Sequence, residues 1–196
     1  MLSVAIQAGG ESSRMGRDKG LVPFLGQALI LRVIERVRPL ADEVLVTTNQ
    51  PEDYGFLGLP LFEDLIPDRG ALGGLYTALS AAQHASVAIV ACDMPFVNPG
   101  LLELAQNRLL EQGVDAVMPE TERGMEPFHA VYLRETCLQA VEAALQAGKW
   151  RLISWLPDVR VARISGEEIL RYDPRQLAFF NVNTPEDLHQ AEQLAK

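Results

Sequence analysis

Apolar positions along the chain follow two patterns that take turns. Leu2-Ser3-Val4-Ala5-Ile6, Glu43 to Thr48 and Ala85 to Cys92 are short, nearly continuous apolar runs. Such runs predict buried strands, and Ala85 to Cys92, apolar on both faces, reads as a central parallel strand. Val114 to Met118, Phe128 to Leu133 and Val159 to Ile164 read as further strands, with Leu61-Phe62 as a short edge strand. Between the runs the period changes. Leu29, Ile30, Val33, Ile34 and Val37 recur at helical spacing and stop at Pro39, and Leu75, Ala78, Leu79 and Ala82 mark the next helix face. Asn98 and Pro99 form an N-cap and N1 pair for a helix to Gln112. Cys137, Leu138, Val141 and Leu145 line a helix that stops at Gly148. Trp150, Ile153 and Leu156 suggest a short helix, and Thr184-Pro185 caps the last one. Residues 51–59 read as a connection. Strands alternating with helices predict an α/β fold: a doubly wound, mostly parallel sheet flanked by helices, in one domain over residues 1–196.

In such sheets ligands bind beyond the carboxyl ends of the strands. Two glycine-rich segments fall there, Ala8 to Lys19 after the first strand and Asp64 to Gly74 after the edge strand. Gly9 and Gly10 follow the first strand directly, so the backbone can approach a ligand with no Cβ in the way, and successive N–H groups form a concave anion site. Arg14, Arg17 and Lys19 bring three cations into the same short loop. The spacing is not that of a P-loop, and the dinucleotide fingerprint G-x-G-x-x-G is absent. Asp93 stands at the carboxyl end of the strongest strand. A carboxylate there is costly without a partner, and Mg²⁺, which takes one or two carboxylates plus phosphate oxygens and water, is a natural one. An aspartate in the turn before Pro95 is the other reading.

The net charge of −9 turns the basic loop into a local exception and excludes a nucleic-acid surface, which requires a basic face. A small anionic ligand, most simply a phosphate, fits both facts. The two cysteines, Cys92 and Cys137, form no C-x-x-C, so neither a zinc site nor a disulfide framework is indicated. No signal-peptide pattern precedes the first strand and no apolar run is long enough to span a bilayer, so the cytoplasm is the expected compartment.

Ala-Gly-Gly-Glu-Ser-Ser-Arg-Met-Gly-Arg-Asp-Lys, residues 8–19, resembles the signature Ala-Gly-Gly-x-Ser-x-Arg-Met-Gly-x-Asp-Lys of the molybdenum cofactor guanylyltransferases, the MobA family, and their close relatives. Cys92-Asp93-Met94-Pro95-Phe96 is similar to that family's second motif, and Asn181-Val182-Asn183-Thr184-Pro185 to its closing one. The resemblance runs from the first strand to the last helix cap and implies a Rossmann-like nucleotidyltransferase fold. It departs from the pattern at Gln7, where relatives usually carry leucine, and at Gln27-Ala28, which replaces a common Lys-Pro. Both departures flank the nucleotide half.

The activity implied is transfer of GMP from GTP to the phosphate of molybdopterin, with Mg²⁺ as cofactor and pyrophosphate as leaving group. A phosphate monoester is ionised at neutral pH, its second pKa being about 6, so no general base is needed. Catalysis reduces to positioning and charge neutralisation. The resemblance places Arg14 and Lys19 on the triphosphate and Asp93 on the metal and nucleotide. Gln7, Ala8, Gly9 and Gly10 would bind the nucleotide, Gly9 and Gly10 through backbone N–H groups. Asn49, Asp68 and the Gly73-Gly74 turn would contact the nucleoside, although Asn49 and Asp68 equally suit Asx-turns. His129 is either a contact to the pterin end of the acceptor or a core histidine. Asn181 and Asn183 would turn toward the metal region, and Arg17 and Asp18 are site or surface residues alike. Transient contacts with proteins that donate molybdopterin or receive the product are implied as well. The alternatives are a cytidylyltransferase on the same cofactor, a nucleotidyltransferase on a sugar or isoprenoid phosphate, and a non-catalytic nucleotide-binding carrier.

Overall fold

All six residues of β1 (Leu2–Gln7) are buried, and the rest of the sheet is laid out around that strand. The computed structural model describes residues 1–9 and 18–196. The expectations placed on Gly10, Arg14 and Arg17 lie outside the described residues. β1 pairs in parallel with β4 (Glu43–Thr47) on one side and β6 (Ser86–Ala91) on the other. β5 (Leu61–Phe62) adds a parallel edge beyond β4. Beyond β6 lie β9 (His129–Leu133), β7 (Ala116–Thr121) and β10 (Val161–Ile164), giving the order β10-β7-β9-β6-β1-β4-β5. β8 (Gly124–Met125) pairs with the end of β7, and β2 (Pro23–Phe24) with β3 (Gln27–Ala28) makes a separate hairpin.

The sheet is mixed rather than wholly parallel. β9 runs antiparallel to both β6 and β7, while β10 is parallel to β7. The segment from β7 to β9 is too short for the crossover of roughly a dozen residues that a parallel pair needs, so the chain turns back on itself.

Alternation along β1 sorts the two cores. Leu2, Val4 and Ile6 pack with α1 (Leu29–Val37) and α4 (Pro99–Gln112). Ala5 packs on the opposite face with α3 (Gly70–Ala81) and α5 (Arg134–Gln146). The five apolar positions expected of α1 are all buried. Each such side chain contributes roughly 1.5–3 kcal/mol when fully withdrawn from water. Asn98 caps α4 as expected, its side chain accepting from the Leu101 N–H.

Several elements differ from the reading of the sequence. Residues 51–59 contain a short helix, α2 (Pro51–Tyr54), and a 3₁₀ turn at Gly55–Leu57, and Tyr54 is fully buried. Gly73 and Gly74 do not turn the chain, because they lie in the first turns of α3. A Cβ on Gly73 would stand 2.9 Å from the Arg69 Cβ and 3.1 Å from the Ile66 carbonyl oxygen. These glycines allow close packing, not a bend. The stretch at 150–156 forms turns that end in a 3₁₀ segment, Leu156–Asp158, and Trp155 rather than Trp150 is the buried tryptophan. Helix α6 (Gly166–Tyr172) is additional. It begins at a Ser165 and Glu168 capping box, an S-x-x-E signal present in the sequence.

The last helix, α7 (Pro185–Leu194), starts at Thr184 with a second capping box whose acid is Asp187. Phe24 and Phe180 each meet Phe96 edge to face, at centroid distances of 6.5 and 6.1 Å. The Leu25 N–H donates to Glu192 Oε1 at 3.0 Å. This small third core ties the β2–β3 hairpin, the segment after β6 and the C-terminal helix into one corner. No helix of the described residues is long and apolar enough to cross a membrane.

Candidate active site

Parallel strands end together, and at the carboxyl ends of β1 and β6 they leave a cavity of about 380 Å³. Gln7, Gly9, Asp18 and Lys19 line it from the first motif, Cys92 and Asp93 from the second, and Asn181 and Asn183 from the closing segment. Three stretches far apart in sequence therefore meet at one place, as the motif reading expects. Ala71 and Phe128 complete much of the wall.

At its centre the Lys19 ammonium lies 3.1 Å from Asp93 Oδ2 and donates to Asn183 Oδ1 at 2.5 Å. Asp18 sets that lysine in place. It caps the 3₁₀ turn Lys19–Leu21, with Oδ1 accepting from the Gly20 N–H at 3.0 Å and from the Tyr54 hydroxyl at 2.5 Å. Gly20 is needed here, since a Cβ would fall 2.6 Å from the Tyr54 hydroxyl and 3.3 Å from the Cys92 Sγ. The turn is thereby pressed onto the end of β6, beside Asp93. Burial drives the Asp93 carboxyl above the ordinary carboxylate range, and the Lys19 ammonium pulls it back. Burial holds the Cys92 thiol in its neutral form, so it is a packed residue and not a nucleophile.

The closing segment is fastened from two sides. The Val182 N–H donates to the Asp93 carbonyl at 2.9 Å. Asp187 Oδ2 accepts from the N–H groups of Asn183 and Thr184 at 3.0 and 2.9 Å, which fixes the Asn183 side chain against Lys19. Among the described residues no group of three or more histidine, cysteine or acidic side chains is placed to hold a metal. Asp93 is a single carboxylate beside an anion site, which is the donor set Mg²⁺ uses when phosphate oxygens and water complete its shell.

Other expected contacts lie apart from the cavity wall. Ala8 is buried and extends the pairing of β1, its N–H donating to the Thr47 carbonyl at 2.8 Å. Asn49 sits just past β4, but both ends of its amide engage Asp64, Nδ2 donating to Oδ2 at 3.0 Å and Oδ1 accepting from the Asp64 N–H at 3.1 Å. Asp68 is exposed with a left-handed φ of 60° before α3. Gly73 is buried in α3. The structure does not bring these three residues into the wall. His129 is wholly buried, which is the core position of its two readings. Its Nε2 accepts from the Asn98 N–H at 2.9 Å and its ring meets Phe179 edge-on at 5.4 Å. The neighbouring Phe128 is the residue that faces the cavity. Asp18, Phe128 and Asp187 are the site residues that the sequence reading left undecided or missed. Asp18 is visible as the motif residue before Lys19, whereas Phe128 has no signal beyond its neighbour.

The burial of His129 has a measurable consequence. Its pKa is pushed down to about 4, first by burial and also by Arg36, against 6.5 ordinarily. Between these values the unfolded chain binds a proton that the folded one refuses. Stability is therefore full above pH about 6.5 and falls as pH drops toward 4, by about 1.4 kcal/mol per pH unit. His129→Gln should be less stable at pH 7 yet lose this slope. Urea unfolding of both proteins from pH 7 to 4 checks it, and an unchanged slope would assign the acid sensitivity elsewhere.

Residues 4–161 match the model of the MobA-like NTP transferase domain. The chain belongs to that family. It is 37% identical to a probable molybdenum cofactor guanylyltransferase of Pelotomaculum thermopropionicum, over 97% of this chain and 92% of that one. It is 35% identical to a molybdenum cofactor guanylyltransferase of Desulfosudis oleivorans, over 97% and 94%. The crystal structure of molybdopterin-guanine dinucleotide biosynthesis protein A from Archaeoglobus fulgidus superposes with a TM-score of 0.85 at 28% identity, covering 98% of each chain. This MobA-like protein therefore shares its fold with nucleotidyltransferases. The family model ends before Asn181 and Asn183, so the residues that close the cavity around Lys19 lie outside the matched region.

Proposed function

We propose that the protein transfers GMP from GTP to the phosphate of molybdopterin, forming the guanine dinucleotide of the cofactor and releasing pyrophosphate. The meeting of Lys19, Asp93 and Asn183 in one cavity at the carboxyl end of β1 carries this reading, and the names of the relatives support the choice of substrates. An oxygen of the acceptor phosphate forms a bond to the α-phosphorus while the bond to the pyrophosphate oxygen breaks. Lys19 neutralises charge on the triphosphate, Gly9 and Gly10 offer backbone N–H groups, and Arg14 adds a second cation. Asn183 and Asp18 keep the lysine aimed, and Asn181 and Phe128 border the space left for the acceptor. Asp93 would hold Mg²⁺, which when bound supplies charge neutralisation across the phosphates. No residue needs to remove a proton, because the attacking phosphate is already ionised.

In this reading the substrates are GTP and molybdopterin, the setting is cytoplasmic, and the contacts with cofactor-donating proteins and with molybdoenzymes are transient. Pyrophosphate release measured with GTP, CTP and ATP, each with molybdopterin and Mg²⁺, tests it. Turnover with GTP in preference to the others is expected. Turnover with CTP alone would make the protein a cytidylyltransferase, and none with any triphosphate would leave a nucleotide-binding carrier.

A further inference from the structure

One polar group in the wall of the cavity has no partner among the described residues. Gln7 ends β1 and is only 7% exposed, and by alternation it faces α3, on the side of the sheet that carries Ala5. Every other residue of β1 is apolar except Ser3, whose hydroxyl donates to Glu43 Oε2 at 2.5 Å and accepts from the His84 N–H. Gln7 Nε2 is buried without a hydrogen-bond partner among the described residues. A buried, unpaired donor costs folding free energy that an apolar side chain of the same size would avoid, and native cores rarely keep one without a use.

The geometry around it is that of a ledge. A Cβ on Gly74 would stand 3.1 Å from Gln7 Cδ and Nε2 and 3.2 Å from Oε1. Near-equal distances to all three atoms mean that the carboxamide lies flat on the helix at a glycine, where any other residue would displace it. The next contributor to the wall on that helix is Ala71, small enough to leave room beside the amide. Lys19 and Asp93, the groups suited to phosphate, line the same cavity. A planar group with one donor and one acceptor side by side, held flat in the wall of a cavity that also carries a cation for phosphate, suits the edge of a nucleobase.

We infer that Gln7 reads the base of the nucleotide, its carboxamide pairing with the Watson–Crick edge of guanine, Nε2 donating to O6 and Oε1 accepting from the N1–H. The inference rests on the guanylyl-transfer reading for the identity of the base, and not for the existence of the contact. It adds a side chain of this particular protein to a site otherwise built from backbone and charge.

Equilibrium binding of GTP, ITP, CTP and purine riboside triphosphate, with Mg²⁺, tests it in wild type and in Gln7→Leu. ITP keeps the O6 and N1–H edge of guanine, and purine riboside triphosphate lacks it. Wild type should bind GTP and ITP alike and both about 10- to 100-fold more tightly than the purine riboside, the range one paired base edge commands. Gln7→Leu should bind all three purines about equally, at an unchanged or higher thermal midpoint, because the orphaned donor is gone. Gln7→Met, which keeps the length and loses both the donor and the acceptor, should show the same loss of preference and decides the matter if the leucine variant does not fold. GTP bound by either variant with wild-type affinity and preference would overturn the inference. A wild-type preference for CTP that Gln7→Leu abolishes would overturn the guanine reading while leaving Gln7 as the base reader. A CTP preference that survives the substitution would overturn both.

Discussion

Lys19→Met is expected to lower kcat/KM for guanylyl transfer by about 10²–10³-fold, the usual effect of removing one preorganised charge from a developing anion. The substitution keeps length and most of the apolar stem, so only the ammonium is lost. That ammonium now joins Asp93, at 3.1 Å, to Asn183, at 2.5 Å. Its removal leaves a carboxylate that is 13% exposed without its nearest opposite charge, so the fold should also weaken, by about 1 kcal/mol. Steady-state kinetics at saturating Mg²⁺ and thermal melting measure both effects. Wild-type kcat/KM in this variant would remove Lys19 from the reaction.

Asp93→Asn should give the opposite split. Loss of the carboxylate takes away the group proposed to hold Mg²⁺, and transfer should fall on the order of 10³-fold or more. Stability should hold or rise. The Asp93 carboxyl titrates above its ordinary range because burial disfavours its charge. Its folded-state pKa thus exceeds the unfolded one, and at neutral pH the ionised carboxyl works against folding. A neutral amide of the same shape removes that cost, at the expense of leaving Lys19 with Asn183 alone. Combining the two substitutions should restore the thermal midpoint lost in Lys19→Met and restore no activity. Melting curves and transfer assays on the three variants decide this, and a drop in midpoint for Asp93→Asn as large as that for Lys19→Met would refute the account of the pair. The contrast is a small instance of a site kept unfavourable for folding because the reaction uses the charge.

Much of this was legible in the chain. The strands β1, β4, β5 and β6 and helices α1 and α4 stand where hydrophobic period and caps place them, since those signals are local. The reversal of β9 was not legible, because a buried strand looks the same in either direction and only the short link from β7 decides it. Gly73 and Gly74 misled for a related reason. Two glycines in sequence suggest a turn, whereas here Gly74 makes room for a side chain on another element, Gln7, about which the neighbouring residues say nothing. The site divides in the same way. Lys19, Asp93 and Asn183 lie in long motifs and converge as expected. Phe128 was hidden behind His129, since one residue's shift along a strand exchanges the core for the cavity. Asp18 and Asp187 act by holding backbone, a role that depends on turns whose geometry spacing does not reveal.

The Asn183 contact to Lys19 and the Val182 tie to the Asp93 carbonyl have a consequence for biosynthesis of the protein itself. During translation the sheet can form from residues before 165, since β10 ends at Ile164. At that stage the ribosome still holds the stretch that steadies Lys19. A nascent chain would thus carry Lys19 and Asp93 without Asn183, and the cavity wall would be complete only once residues 181–183 are in place. Proteolytic trimming just before Phe179 would return a finished molecule to that immature condition while sparing its sheet.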